Sequence, residues 1–321
     1  MNIVSPVDGF NEAESLIGSG ANELYGGYLP DFWIEKYGHM TSLNRRSFRA
    51  ANIASFEELD RICELCWKKD VPFHLALNAP IVPEDDLAPV VDFASALAAR
   101  GVSGFIVSDL NLLSRLSEAR LKVELHASTL LAAFSLATIR FFTSFGVRRV
   151  ILSRELALGE TCELAKKAGG AKLDIIAFRG KCPNIEGYCS HLHDDPDRRW
   201  PCQLSYRKKW VGAFEKSLKD QVFENISEWE GLDPFYSCGI CALPQLASSG
   251  VHSARIEGRG LETEKKLRAV AVLRKMLEFC KDESDLERSI TIGRSIYVEE
   301  FGMPCSQKNC YFPEFFNGEK R

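Results

Sequence analysis

The sequence predicts an α/β protein that closes into a (β/α)8, TIM-like barrel. Short runs of β-branched and aliphatic residues alternate with longer segments of helical periodicity along almost the whole chain. Strands separated by helix-length segments pair in parallel through right-handed crossovers. Eight such units match a closed barrel better than an open, doubly wound sheet. At 321 residues the chain is long enough to bury the core of such a barrel.

The individual elements follow from local patterns. The predicted strands, in order, are Asn2–Ser5, Glu23–Gly26, Pro72–Asn78, Gly104–Ser108, Val123–Ala127, Arg149–Ser153, Leu173–Phe178 and Ser253–Glu257. The clearest predicted helices are Ser55–Lys69, Pro83–Arg100, Leu110–Glu118, Leu131–Phe145, Leu156–Ala168 and Glu262–Lys281. Ser55 with Glu58 forms a predicted capping box, and Asp109 is placed to cap the helix that follows it.

One segment interrupts this regular alternation. About 75 residues separate the seventh strand from the eighth, whereas about 25 to 35 separate most other neighbours. The segment follows the carboxyl end of a strand, where the loops of such barrels build active sites. We therefore expect a barrel domain of residues 1–281, with an insertion at 179–252, and a C-terminal extension of residues 282–321 packed on the barrel.

Composition excludes several classes of protein. Hydrophobic residues make up 45% and charged residues 26% of the chain, which is typical of a globular protein. The net charge of −4 provides no general attraction for nucleic acid. No apolar run approaches the roughly 20 residues that cross a membrane, and no secretory leader is recognisable. We expect a cytoplasmic protein that does not insert into membranes.

The 11 cysteines are the unusual feature. In a reducing compartment an odd number argues for thiolate ligands, reactive thiols or core packing rather than disulfides. Five lie in the insertion, namely Cys182, Cys189, Cys202, Cys238 and Cys241. Ligation by cysteines alone favours zinc or an iron–sulfur cluster. A competing zinc site would use Cys182, Cys189, His191 and His193.

The remaining cysteines divide into two groups. Cys63 and Cys66 share the apolar face of one predicted helix, and Cys162 and Cys280 also lie in predicted helices, so we expect all four to be core residues. Polar residues flank the pair Cys305 and Cys310. This pair could bind a second metal, although the sequence shows no two further ligands near it.

Several polar side chains fall at or just beyond the carboxyl ends of predicted strands. Arg154 and Arg259 could each bind a carboxylate through two hydrogen bonds, and His126 could transfer a proton. A structural ion-pair ring, such as Arg154 with Glu257, is the alternative. The candidate catalytic residues are His126, Arg154, Glu155 and Glu257. The candidate substrate-binding residues are Tyr25, Arg46, Asn78, Ser128, Arg154 and Arg259.

Several segments of the chain resemble the peptidase U32 family. They are SPVDG at 5–9 and GANELYGG at 20–27, LHAST at 125–129, GVRRVILSREL at 146–156 and ASSGVHSARIEGR at 247–259. Asn44-Arg45-Arg46 is similar to the family's FNAR. The resemblance implies that Cys182, Cys189, Cys202 and Cys238 hold a 4Fe–4S cluster, with Cys241 as a possible substitute for Cys238. Arg179-Gly180 replaces the family's His-Gly before the first cysteine.

The same resemblance implies two kinds of activity. Some members resemble oxygen-independent hydroxylases that use prephenate as oxygen donor on a quinone precursor, as in ubiquinone biosynthesis, or on a pyrimidine in RNA. Others carry a collagenase-like protease description. The chain has neither an HExxH nor a GxSxG motif, which favours hydroxylation. A small substrate is favoured over RNA by the net charge, although Arg207-Lys208-Lys209 could contact phosphates. A further functional alternative is a non-catalytic subunit that carries the cluster beside a catalytic paralogue. The chain would then form a heterodimer with that paralogue, and a homodimer is the other assembly that we consider.

Overall fold

A computed structural model describes residues 1–38, 40–182, 184–189, 233–279 and 285–316. Eight parallel strands form a closed barrel in chain order, and the eighth strand pairs with the first. The strands are β1 Asn2–Pro6, β2 Glu23–Gly26, β3 Phe73–Leu77, β4 Gly104–Val107, β5 Glu124–Ala127, β6 Arg149–Ile151, β7 Lys172–Phe178 and β8 Ser253–Ile256. The predicted (β/α)8 barrel is therefore confirmed.

Helices surround the barrel within the described ranges. They are α1 Phe10–Gly18, α2 Asp31–Tyr37, α3 Phe56–Lys69, α4 Glu84–Ala99, α5 Leu110–Glu118, α6 Leu136–Ser144, α7 Leu158–Lys167, α8 Leu243–Ser248, α9 Thr263–Phe279 and α10 Leu286–Phe301. Of the helices in these ranges, none is long and apolar enough to cross a membrane.

The predicted helix caps are largely confirmed. Ser55 Oγ accepts a hydrogen bond from Glu58 N, and the carboxylate of Asp109 accepts one from Leu112 N. The Glu58 carboxylate does not return to Ser55 N, however, because it accepts hydrogen bonds from Ala54 N and Phe10 N. Glu58 thus joins the start of α3 to the start of α1.

Two helical regions differ from the prediction. The segment predicted as Leu131–Phe145 begins with a 3-10 turn, and α6 starts only at Leu136, where Ser135 Oγ accepts from Thr138 N. Ala132 separates the two with a left-handed φ of 51°. The helix α10 was not predicted. It packs against α9 and the 3-10 turn Ile240–Ala242, so the described part of the extension lies on the barrel.

Charged side chains fill the inside of the barrel beneath the mouth. Glu23 accepts a hydrogen bond from His74 at 2.8 Å and pairs with Arg149, and Arg255 pairs with Asp174 at 3.1 Å. Each of these five side chains is at most 3% exposed. Most such barrels fill this layer with Val, Ile and Leu. Pairing offsets the desolvation cost of burying these charges. Removing one partner would leave the other charge buried and unpaired, which would destabilise the barrel.

Candidate functional site

A cavity of about 390 Å³ opens at the carboxyl ends of the barrel strands. It is lined by inward-facing residues of β2, β3, β4, β6, β7 and β8 and by the loops that follow the strands. All six predicted substrate-binding residues lie in its wall. Its polar lining consists of Tyr25, Arg45, Arg46, Asn78, Ser128, Thr129, Arg154, Arg179, Lys181, Cys182, Glu186, Asp233, Arg255, Glu257 and Arg259. The lining therefore contains more basic than acidic side chains.

Arg46 and Arg259 are two basic residues of this wall whose charges act on each other. Burial and the neighbouring charge of Arg259 lower the pKa of Arg46 to about 10. Nη2 of Arg259 donates to Asn44 O at 2.6 Å, while Nη1 has no hydrogen-bond partner among the described residues. Arg259 is only 9% exposed. Two like charges held together away from water favour binding of an anion, which would relieve their repulsion.

Tyr25 lies beside this pair. Its hydroxyl donates to Ile256 O at 3.0 Å. Burial, with the charge of Glu257, raises the pKa of Tyr25 far above its usual value, so the phenol stays protonated. Because its one O–H is directed at Ile256 O, the neutral Tyr25 hydroxyl offers the cavity only its oxygen, as an acceptor.

Arg154 is engaged by two carboxylates. Its Nε lies 2.7 Å from Glu186 Oε2, and Nη2 lies 3.6 Å from Glu257 Oε1. Burial opposes the charge of Arg154, but Glu186, Tyr311 and Glu257 raise its pKa above the usual value. The ion pair of Arg154 with Glu257, which the sequence suggested as a structural alternative, is present. A ligand carboxylate at Arg154 would have to compete with both side chains.

Two arginines of the mouth have an unusual backbone conformation. Arg45 and Arg179 adopt left-handed φ values of 64° and 63°. Such a conformation is costly for a residue other than glycine and is found most often at functional sites. Arg179 lies 4.1 Å above the ring of Phe235, and burial lowers its pKa to about 10. This backbone strain occurs in two cationic residues of one cavity.

The loop that carries Cys182 and Cys189 is docked on the mouth. Glu186 Oε2 accepts a hydrogen bond from Thr129 Oγ1 at 2.8 Å. Gly187 packs so closely that a Cβ atom there would lie 2.5 Å from Ala132 Cβ. Nη2 of Arg45 donates to Cys189 Sγ at 3.4 Å. Cys182 lines the cavity, and Cys189 contacts the lining residue Arg45.

The four cysteines of the implied cluster do not form one group among the described residues. The charge of Cys182 acts on Arg154, whereas the cysteines whose charges act on Cys238 are Cys241, Cys310 and Cys305. Cys202 lies outside the described residues, as do His191 and His193 of the zinc alternative and Cys280. Within the described ranges no three His, Cys, Asp or Glu side chains are placed to hold one metal ion. The described members thus do not fit the single ligand set that the resemblance implies.

Two of the predicted catalytic residues lie away from the cavity. His126 is fully buried inside the barrel, with its ring 4.4 Å from that of His74 and Nε2 3.3 Å from Glu124 Oε2. Burial and the charge of His74 hold the pKa of His126 well below its usual range. Our prediction that His126 faces the mouth is corrected here, because it lies one inward position below Ser128. Glu155 lies exposed in the turn after β6 and does not line the cavity.

Other lining residues were missed by the sequence analysis. Arg255 has a signal, since it lies two residues before Glu257 and a strand directs alternate residues inward. Arg45 lies next to the predicted Arg46. Glu186 and Arg179 have no comparable signal, because only the docked loop and the chain after β7 bring them to the mouth.

Several known proteins are similar to this chain in part of their sequence. A model of peptidase family U32 matches residues 9–300. A collagenase of Porphyromonas gingivalis is 25% identical over 307 residues, which cover 91% of this chain and 68% of the collagenase. The tRNA hydroxylation protein P2 of Bacillus subtilis is 24% identical over 251 residues, 75% of this chain and 79% of that protein.

A third relative is named for a hydroxylated nucleoside of ribosomal RNA. The 23S rRNA 5-hydroxycytidine C2501 synthase of Escherichia coli is 25% identical over 258 residues. These residues cover 79% of this chain but 37% of the synthase. Hydroxylation proteins and a collagenase therefore occur together among the relatives.

Proposed function

Because this chain belongs to peptidase family U32, we propose that it is a hydroxylase that adds an oxygen atom to a pyrimidine base of RNA. The proposed oxygen donor is a small dicarboxylate of the prephenate type. Likeness to an RNA hydroxylation protein and to an rRNA 5-hydroxycytidine synthase supports RNA over the small aromatic substrate that the net charge favoured. The observation that carries the proposal is the buried Arg46 and Arg259 pair in the cavity wall.

The cavity suits a small, doubly charged acid. Its volume of about 390 Å³ lies within the range of small-molecule sites. Arginine binds carboxylates through two parallel hydrogen bonds, and this geometry is strongest where water is excluded. In this proposal Arg46 and Arg259 hold one carboxylate. A second carboxylate would meet Arg154 and displace Glu186 or Glu257 from it.

The rim of the cavity would receive the base. Asn78 Oδ1 is buried without a hydrogen-bond partner among the described residues, and Ser128 lies in the same wall. A pyrimidine offers an amino group or a ring NH to such an acceptor, and the unsatisfied amide would gain a partner on binding. The exposed phosphates of the RNA would then lie nearest to Lys181 and Arg45, which belong to the basic part of the lining.

The 4Fe–4S cluster belongs to the proposal because of the family. Such a cluster would supply electron transfer. We propose Cys182, Cys189 and Cys202 as ligands at the mouth, where the first two lie beside Arg154 and Arg45. The binding roles given above depend only on the protein's own side chains.

An anaerobic assay tests this function. The purified protein is incubated with RNA and prephenate, and the nucleosides are analysed by mass spectrometry for a pyrimidine that has gained one oxygen atom. The expected result is hydroxylation that depends on prephenate and is lost in Arg46→Gln. Cleavage of denatured collagen by the same protein, with no modified nucleoside, would overturn the proposal in favour of the peptidase.

A non-catalytic role beside a paralogous subunit gives a different result. A supporting subunit would be required for activity of the pair, but its Arg46→Gln variant would leave that activity unchanged. Loss of activity in this variant of the complex therefore indicates that the cavity of this chain is the working site.

A further inference from the structure

Two buried asparagines hold the segment of chain that carries Arg46. Asn44 is fully buried and Asn52 is 7% exposed. Nδ2 of Asn44 donates to Asn52 Oδ1 at 2.7 Å, which joins the two side-chain amides. Neither side chain belongs to the lining of the cavity, so neither can bind a ligand there directly.

The hydrogen-bonding atoms of both amides are fully engaged. Asn44 Nδ2 uses its second hydrogen on Tyr28 O at 3.2 Å, and Asn44 Oδ1 accepts from Arg46 N at 3.2 Å. Asn52 Nδ2 donates to Arg46 O and to Phe48 O, each at 3.0 Å. A side-chain amide has two N–H donors and one carbonyl acceptor, and both asparagines use all of them. Neither amide can therefore turn without losing a buried hydrogen bond.

The backbone of Arg46 is held on both sides by this network. Its N donates to Asn44 Oδ1, and its O accepts from Asn52 Nδ2 and, at 2.9 Å, from Ser42 Oγ. The preceding residue, Arg45, has the left-handed φ of 64°. Such a conformation persists in a residue other than glycine only where the surrounding structure imposes it. The hydrogen bonds to Arg46 supply that constraint.

Asn44 also links this segment to Arg259. Its side chain accepts from Arg46 N, whereas its main-chain O accepts from Arg259 Nη2 at 2.6 Å. Arg46 lies in the connection after β2, and Arg259 lies just after β8. One buried residue thus fixes the backbone of the first arginine and the guanidinium of the second.

Gly27 shows how closely this network is packed. A Cβ atom at Gly27 would lie 2.8 Å from Asn44 Nδ2 and 3.0 Å from Asn52 Oδ1. The same atom would overlap Nη1 of Arg259. A side chain at this position therefore cannot fit unless the guanidinium of Arg259 moves.

We propose that Asn44 and Asn52 are positioning residues that hold Arg46 and Arg259 ready as one anion-binding unit. This inference rests on the proposed function, because it takes a dicarboxylate as the ligand. The asparagines act through the two arginines and do not touch the ligand. Side chains that are already ordered before binding lose less conformational entropy when the ligand arrives, so the network should increase affinity.

Calorimetry with prephenate tests this role in a double-mutant cycle. Asn52→Ser should raise the Kd about three- to tenfold, which is the effect of losing one or two hydrogen bonds. In an Arg46→Gln background the same substitution should change the Kd at most about twofold, because the side chain that Asn52 positions is gone. Equal effects in the two backgrounds would overturn the proposal.

Asn22→Ser is the matched control for this measurement. Asn22 Oδ1 also accepts from a main-chain amide, that of Ile3 at 2.9 Å, but it does so at the amino-terminal ends of the strands. We expect its Kd for prephenate to equal that of the wild type. An equal rise in Asn22→Ser and Asn52→Ser would show a general effect on the barrel and would contradict a positioning role.

Amide hydrogen exchange of the ligand-free protein separates positioning from loss of the fold. Asn52→Ser should speed exchange in peptides of residues 42–53 about tenfold, whereas peptides of β4 and β5 keep their wild-type rate. If exchange of the whole barrel becomes faster, Ser42→Ala replaces this variant, since it removes only the hydrogen bond to Arg46 O. Wild-type exchange of residues 42–53 in Asn52→Ser and Ser42→Ala would overturn the proposal.

Gly27→Ala perturbs the same unit from another side. The added methyl group displaces the guanidinium of Arg259, so the Kd for prephenate should rise. Gly18→Ala is its control, because a Cβ atom there meets no atom within 4 Å. A wild-type Kd in Gly27→Ala would contradict the packing on which the proposal depends.

The inference and the proposed function fail in different ways. If the variants raise the Kd as expected but no hydroxylated nucleoside forms, the positioning role stands and RNA hydroxylation is refuted. If Arg46→Gln raises the Kd while Asn52→Ser and Ser42→Ala do not, the anion site stands and the positioning role is refuted. A wild-type protein that binds no prephenate refutes both.

Discussion

Nε of Arg154 lies 2.7 Å from the carboxylate of Glu186, and this ion pair joins the end of β6 to the cysteine loop. Arg154 is 7% and Glu186 16% exposed, so the pair is largely shielded from water. Thr129 donates to the same carboxylate at 2.8 Å. One acidic side chain of the loop that carries Cys182 and Cys189 is therefore held by two residues of the barrel mouth.

Glu186→Gln should loosen that loop. The amide keeps the shape of the side chain but loses the charge that pairs with Arg154, which retains Glu257 at 3.6 Å. We expect alkylation of Cys182 and Cys189 to become about tenfold faster, equivalent to about 1.4 kcal/mol less free energy to open the loop. Glu163→Gln, which removes an exposed pair with Lys167 on α7, is the control and should leave the rate unchanged. If the alkylation rate of Cys182 and Cys189 is unchanged in Glu186→Gln as well as in the control, the ion pair of Glu186 with Arg154 does not hold the loop in place.

Arg46→Gln should weaken binding of a dicarboxylate. A charge-assisted hydrogen bond contributes about 1.5 to 3 kcal/mol, so the Kd for prephenate should rise about 10- to 100-fold in calorimetry. Because the variant also relieves repulsion from Arg259, the ligand-free protein should be at least as stable as the wild type in thermal melts. Arg274→Gln is the control, since Arg274 pairs with Glu278 on the exposed face of α9. An unchanged Kd for prephenate in Arg46→Gln would show that Arg46 does not bind the dicarboxylate.

Gly187→Ala should displace the cysteine loop without unfolding the barrel. The added methyl group would lie 2.5 Å from Ala132 Cβ and 3.1 Å from Leu130 O, so the loop or the 3-10 turn beneath it has to move. We expect weaker prephenate binding with little change in the thermal midpoint. Gly159→Ala in α7 meets no atom within 4 Å and should stabilise the helix by about 0.5 to 1 kcal/mol. Equal effects of the two substitutions would argue against close packing at Gly187.

The buried histidines should make the protein sensitive to mild acid. Burial lowers the pKa of His126 and of His74 relative to 6.5, so the unfolded chain binds more protons than the folded one below that pH. The free energy of unfolding should therefore fall between pH 7 and pH 5.5, mainly through His126, whose pKa is lowered further. Urea denaturation at both pH values measures this fall, which should be smaller in His126→Gln. A pH-independent midpoint in the wild type would show that these side chains are not buried as neutral groups.

A second loss should follow at lower pH. Burial alone would raise the pKa of Glu23, but the nearby His252, the hydrogen bond from His74 and the charge of Arg149 bring it far below 4.5. The stability that this carboxylate provides is present above pH 4.5 and is lost as the pH falls further. The histidines reduce the free energy of unfolding as the pH falls below 6.5, and Glu23 reduces it only below pH 4.5. One titration of stability against pH therefore measures the two effects separately.

Most of the barrel follows from local sequence, and much of the cavity follows from the barrel. Asn78, Ser128 and Arg259, which lie at or just beyond the ends of predicted strands, line the cavity, because the strand ends of a closed parallel barrel meet at one mouth. Arg46, which was predicted from its similarity to the family's FNAR, lines it as well. The same reasoning from strand ends misplaced His126, which shares the inward face with Ser128 but lies deeper. How far a residue lies below the mouth depends on the stagger of neighbouring strands in the closed barrel. This stagger is not visible in the sequence of any one strand.

The parts that escaped prediction depend on tertiary contacts. The helix α10 contains Ile, Thr, Tyr and Val, which have low helix propensity, and packing on α9 and Ile240–Ala242 stabilises it. The approach of Cys238 to Cys310 has the same origin, since the segments between them are folded by other parts of the core. The spacing of Cys238 from Cys241 and of Cys305 from Cys310 is visible in the sequence. The backbone bridge that brings Cys238 beside Cys310 is not.

The contact between Arg154 and Tyr311 has a consequence for the order of folding. These residues are 157 positions apart, and Tyr311 and Arg179 are 132 positions apart. Contacts between such distant residues close large loops and form late. A refolding chain should regain its helical circular dichroism before it regains ligand binding, because the mouth is complete only when residues 305–312 have returned to the barrel.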